Sequence, residues 1–130
     1  MKQLLDTHTL LWFFQDDPRL SATAATAIEA ESAHNHVSLA TLWEISIKVS
    51  LGKLRVSYGP GKARQLPDLL QHNGIALLSI AAAHCDHLSR LPFHHRDPFD
   101  RMLVAQSHLE DLRLISRDAA FDAYGVQRIW

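Results

Sequence analysis

Short apolar runs alternate along the chain with longer stretches whose apolar residues recur at helical spacing, and this alternation restricts the fold to a parallel sheet joined by crossover helices. The runs expected to be strands are Lys2–Leu5, His36–Leu39, Ile75–Ser79, Arg113–Ile115 and Val126–Ile129. Between them the helices begin and end on recognisable signals. Thr7 stands where a residue caps a helix through Leu10, Leu11, Trp12, Phe13 and Phe14, and Ser21 opens an alanine-rich second helix ending near Glu31. Ser38 or Thr41 starts a third, which carries Leu42, Trp43, Ile45, Ile47 and Val49 and stops at Gly52. Lys53 to Gly61 reads as turn, Lys62–His72 as a helix ended by Asn73-Gly74 with Pro67 inside it, and Ala81–Leu91 as a further helix. Asp97-Pro98 opens the last one, since proline at the first helical position gives up no intrahelical bond. The expected architecture is an α/β sandwich, a central parallel sheet of about four to five short strands flanked by helices.

With 130 residues, 47% of them hydrophobic, the chain has material for one core, so residues 1–130 are expected to form a single domain. No apolar run approaches the roughly 20 residues needed to cross a bilayer. Asp6 interrupts the start of the chain before a signal-peptide core forms, so the expected setting is soluble and cytoplasmic, without a membrane partner. Cys85 is the single cysteine, which excludes an internal disulfide and a Cys-x-x-Cys metal or redox pair. A formal net charge of −1 gives no global basic field to advertise a nucleic-acid partner.

In open α/β sheets ligands bind beyond the carboxyl ends of the strands. Asp6 follows the first expected strand directly, and Asp118 follows the fourth after a Ser116-Arg117 spacer. Glu44 lies one to two turns into the third helix and Asp100 in the first turn of the last. Each acid also has a local role open to it. Asp6 and Asp118 suit helix caps, Asp100 suits the third position after an Asp97 cap, and Glu44 precedes Lys48 by one turn, as in a surface pair. Four carboxylates brought together would repel one another unless cations neutralised them, and an all-oxygen set suits Mg²⁺ or Mn²⁺.

The joint pattern resembles the PIN-domain nucleases, specifically the VapC-type toxins of toxin–antitoxin pairs, over nearly the whole chain. Its carriers are Leu4-Leu5-Asp6-Thr7-His8-Thr9-Leu10-Leu11-Trp12, the stretch Ser38 to Lys48 around Trp43-Glu44, and Gly52-Lys53-Leu54. They continue with Arg96-Asp97-Pro98-Phe99-Asp100-Arg101-Met102-Leu103-Val104-Ala105-Gln106, then Ile115-Ser116-Arg117-Asp118 and the ending Tyr124 to Trp130. The resemblance implies a PIN-like sandwich and an endoribonuclease hydrolysing RNA with one or two Mg²⁺ or Mn²⁺ ions. It implies Asp6, Glu44, Asp100 and Asp118 as catalytic and metal-binding acids, Asp6 and Asp100 foremost, with Asp97 left as a cap. It further implies a homodimer and a cognate antitoxin. Thr7 and Ser116 stand beside two of the acids and would orient them or a metal-bound water.

From Ile45 to Pro67 the chain has no acid, while Lys48, Lys53, Arg55, Lys62 and Arg64 are basic. Lys48, Lys53 and Arg55, with Tyr58 to stack a base, are candidate RNA contacts, and ordinary solvated positions are the alternative. Trp12, Phe13, Phe14 and Trp43 read first as core. The pairs His84–His87 and His94-His95 lack a second ligand pair at zinc spacing, and His94, His95 and Arg96 place positive charge near Asp97. Two alternatives remain: a catalytically silent PIN-like module that binds RNA or protein, and a metal-dependent phosphohydrolase on a non-RNA substrate. His8 stands where a phosphohydrolase of the haloacid-dehalogenase type needs its second aspartate.

Overall fold

The computed structural model describes residues 1–55 and 62–130. Five parallel strands form its sheet: β1 (Lys2–Leu5), β2 (His34–Ser38), β3 (Ala76–Leu78), β4 (Arg113–Ile115) and β5 (Arg128–Ile129), in the order β3-β2-β1-β4-β5. Side chains on successive strand residues point to opposite faces, and here each face meets an apolar cluster. Leu5, Val37 and Ile115 face one cluster, completed by Leu10 and Leu11, Ala24 and Ile28, Ile45, Leu66 and Leu70. These last come in order from α1 (Thr7–Phe14), α2 (Ala22–Glu29), α3 (Leu39–Ser50) and α4 (Lys62–His72). Leu4 and Leu114 face the other cluster, with Leu103 and Val104 of α6 (Pro98–Glu110), Leu91 beyond α5 (Ala82–Ser89), and Phe121. Phe121 belongs to a 3₁₀ turn, Ala119–Tyr124.

The α/β sandwich and its parallel sheet are as the alternation predicts, and the boundaries shift for local reasons. β2 begins two residues before the expected His36 because Lys2 already pairs with His34. β3 and β5, with a neighbour on one side only, are shorter than expected. Asp6, not Thr7, caps α1: its Oδ1 accepts the Thr9 N–H at 2.9 Å, which leaves the Thr7 hydroxyl free to turn elsewhere. Ser21, Ser38 and Asp97 cap α2, α3 and α6 as expected, and Gly52, at φ +68°, takes the left-handed turn after α3. α4 runs through Pro67 without ending there.

Trp12 is buried and Phe13 and Phe14 pack partly against the core, whereas Trp43 is 60% exposed, a correction to its reading as core. Leu42, Ile45 and Val49 recur at the spacing of α3's inner face, and Trp43 lies off that stripe. A polar row crosses the buried sheet in register: Gln3 donates to Asn35 Oδ1 at 2.6 Å and accepts from the Arg113 guanidinium at 2.6 Å. Among the described residues no helix is long and apolar enough to cross a membrane.

Candidate active site

After β1 the chain crosses to β2 on one side, and β4 joins β1 on the other, so the strand order reverses between β1 and β4. A crevice forms beyond the carboxyl ends of strands at such a point. Asp6 is the first residue past β1, and its N–H donates to the Ile115 carbonyl at 3.2 Å, closing the last rung between β1 and β4. The Thr9 hydroxyl donates to the same carbonyl at 2.9 Å, so the start of α1 is tied to the end of β4.

Ser116, fully buried, links two of the acids. Its hydroxyl donates to Asp6 Oδ2 and accepts the Asp118 N–H at 3.1 Å. Asp118 in turn caps the 3₁₀ turn, Oδ1 accepting the Ala120 N–H at 3.0 Å, while Oδ2 accepts from His95 Nε2 at 2.7 Å. Burial raises the Asp118 pKa, but the His95 and Ala120 hydrogen bonds and the Arg128 charge outweigh it and hold the carboxyl below its ordinary value.

Glu44 projects from the second turn of α3 and is buried. Thr7 Oγ1 donates to its Oε1 at 2.6 Å and Lys48 Nζ to its Oε2 at 2.7 Å. The Glu44–Lys48 pair expected from the spacing therefore exists, but with the carboxylate inside the protein. Asp100 sits at the third position of α6, after the Asp97 cap whose Oδ1 accepts the Phe99 and Asp100 N–H groups at 2.8 and 3.3 Å. Burial, then the negative charges of Asp97, Glu44 and Asp6, push the Asp100 pKa up to about 7 against the opposing pull of His95.

All four predicted acids line one cleft of about 470 Å³, together with Asp97, Thr7, Lys48 and Arg117. Among the described residues no three His, Cys, Asp or Glu side chains are gathered closely enough to chelate one ion between them. The raised Asp100 pKa registers its burial first and the repulsion of the neighbouring carboxylates second.

Of the candidate RNA contacts, Lys48 lines the cleft, Lys53 and Arg55 are exposed outside its lining, and Tyr58 falls outside the described residues. Arg117, His8 and Trp12, none of them among the expected site residues, also line the cleft. Arg117 had a signal, since it lies between Ser116 and Asp118. His95 is placed differently from expectation: its ring meets Asp118 rather than Asp97. His84 and His87 do not share a site, because buried His84 bonds the Ala81 N–H and Glu110, while His87 bonds His108 at 3.0 Å.

A family model described as PIN domain matches residues 4–127. No curated protein matches the chain by sequence. Solved structures share its fold. VapBC-1 from nontypeable Haemophilus influenzae is similar with TM-score 0.69 at 16% identity, covering 98% of this chain and 96% of that one. VapBC2 from Rickettsia felis, bound to a DNA fragment from their promoter, is similar with TM-score 0.71 at 13% identity, covering 100% of both chains. A toxin–antitoxin complex from Klebsiella pneumoniae gives TM-score 0.54 at 15% identity, covering 89% of this chain and 86% of that one.

Proposed function

The chain belongs to the PIN domain family, and from that premise we propose that it is a VapC-type toxin: a divalent-metal-dependent endoribonuclease acting in the cytoplasm and restrained by a cognate antitoxin. The observation that carries the reading is the convergence of Asp6, Glu44, Asp100 and Asp118, distant in sequence, on one cleft at the β1–β4 reversal. We take residues 1–130 as one nuclease domain that pairs with a second copy. The antitoxin assignment is supported by the likeness to the two VapBC structures and to the Klebsiella pneumoniae toxin–antitoxin complex.

The donor set fits Mg²⁺ or Mn²⁺, because it is all oxygen and gathers Asp6, Glu44, Asp97, Asp100 and Asp118 on one cleft. Asp6, Asp100 and Asp118 would hold one or two ions, with Glu44 completing the set. The chemistry such an ion would supply there is polarisation of the phosphate and a lowered pKa of a water for in-line attack.

The chain's own residues supply the geometry. Ser116 fixes Asp6 and the Asp118 backbone relative to each other. Thr7 and Lys48 hold both oxygens of Glu44, so its carboxylate faces the cleft in one orientation. Arg117 supplies positive charge in the cleft for the RNA phosphate. Lys53 and Arg55 extend that charge outward along the backbone of the RNA, and Tyr58 is the proposed stacking residue.

The test is incubation of the free protein with mixed RNA, with and without Mg²⁺ or Mn²⁺, beside an Asp6→Asn control. Cleavage that requires the ion and disappears in Asp6→Asn supports the reading. Cleavage indifferent to both overturns it.

A further inference from the structure

His95 stands in the loop between α5 and α6, a segment whose residues show no periodicity, yet its side chain is 8% exposed. Its ring stacks on Phe121 at 4.5 Å between centroids and on Tyr124 at 5.5 Å. The Tyr124 hydroxyl accepts the His95 backbone N–H at 2.8 Å and meets Nδ1 at 3.2 Å. With ring planes and backbone both fixed, Nε2 has a single direction, and that direction ends on Asp118 Oδ2 at 2.7 Å. A carboxylate accepts only, so the proton of this bond is on Nε2.

We propose that His95 is a positioning residue for the metal-binding function of Asp118, a role that rests on the nuclease reading given above. Asp118 is held by two donors of different kinds. The Ala120 N–H bond is the helix-cap bond any aspartate makes at such a position, and it leaves the carboxylate able to swing about its own Cβ–Cγ axis. The His95 bond engages the other oxygen and removes that swing. Almost half of the Asp118 side chain is exposed, so without His95 it would relax toward water instead of keeping the orientation in which Asp118 lines the cleft. The Tyr124–His95–Asp118 chain thus does for an oxygen ligand what a carboxylate behind a ligating histidine does in other metal sites. Removing such outer partners typically lowers metal affinity about 10–100-fold.

The test compares His95→Phe, which keeps a ring on Phe121 and Tyr124 but has no donor, with His95→Gln, whose amide reaches the former Nε2 position. Mn²⁺ binding to the RNA-free protein is followed by electron paramagnetic resonance, and metal-free melting temperatures are recorded alongside. The expected result is at least a tenfold weaker Mn²⁺ affinity in His95→Phe, recovered largely in His95→Gln, with both metal-free variants melting near the parent. Parent-like Mn²⁺ affinity in His95→Phe, or equal weakness in His95→Gln, overturns the positioning role while leaving the nuclease reading intact. A parent protein that binds no Mn²⁺ overturns both.

Discussion

Thr7 Oγ1 donates to Glu44 Oε1 at 2.6 Å, joining the first turn of α1 to the second turn of α3 across 37 positions of sequence. Both side chains are buried at the edge of the cleft, so each is largely shielded from water. Thr7→Val keeps the shape and deletes the donor, leaving a buried carboxylate oxygen without it. The expected loss is about 1–3 kcal/mol, the usual cost of stranding a buried polar partner, read from urea unfolding at neutral pH. Thr7→Ser should recover most of it. Equal stability of Thr7→Val and the parent would show that Glu44 reorients toward Lys48 at no cost.

Asp100 makes metal-free stability depend on pH. Its folded-state pKa of about 7 lies above the ordinary 3.8, so the fold binds a proton that the unfolded chain has released. That contribution is complete below about 3.8 and disappears as pH rises through about 7. Asp100 retains partial contact with solvent, which tempers its size. In EDTA, the parent should therefore lose melting temperature relative to Asp100→Asn between pH 4 and pH 8, and Mg²⁺ at pH 8 should restore the parent alone. Parallel pH profiles for the two proteins would remove the burial and carboxylate crowding inferred for Asp100.

The acids were legible because each follows a local rule. Asp6 and Asp118 stand just past strands, Asp97 and Asp100 open a helix, and Glu44 falls on the inner half of an amphipathic pattern. Their shared cleft was legible only through the joint resemblance of motifs spread along the chain, since periodicity does not say which strands are neighbours. The His95–Asp118 contact was not legible, because it spans 23 positions and issues from a loop with no repeating pattern. Trp43 was misassigned for a different reason. It lies in an apolar run, yet helical spacing sets Leu42, Ile45 and Val49 inward and leaves it beside the Phe99 ring, 5.4 Å away.

Arg101 organises the loop that carries His95. Its guanidinium is buried and donates to the carbonyls of Pro92, Leu88 and Leu91 at 2.9, 3.0 and 3.2 Å, with the Phe93 ring 4.0 Å from its central carbon. An ammonium cannot reproduce this planar fork. Arg101→Lys should cost about 2–3 kcal/mol in urea unfolding, in the range for hydrogen bonds to charged groups. A loss below about 0.5 kcal/mol, the level of an ordinary surface substitution, would mean that the loop holds its path without the guanidinium.

The cations near the site divide by what already occupies them. Lys48 is engaged by Glu44 at 2.7 Å, Arg117 lines the cleft between Ser116 and Asp118, and Lys53 and Arg55 are exposed beyond it. Each cation that neutralises a phosphate of single-stranded RNA steepens the fall of log affinity with log salt by about 0.7. Arg117→Gln should reduce that slope by about one such step, measured with Asp6→Asn as background so that the RNA is bound without being cut. The double substitution of Lys53 and Arg55 by Gln should reduce it by up to two steps if the bound RNA extends past the cleft along α3's C-terminal end. Lys48→Gln should alter the slope least, since its charge is already balanced by Glu44. An Arg117→Gln slope equal to the parent's would take Arg117 out of the phosphate path and leave the outer pair as the proposed source of RNA affinity.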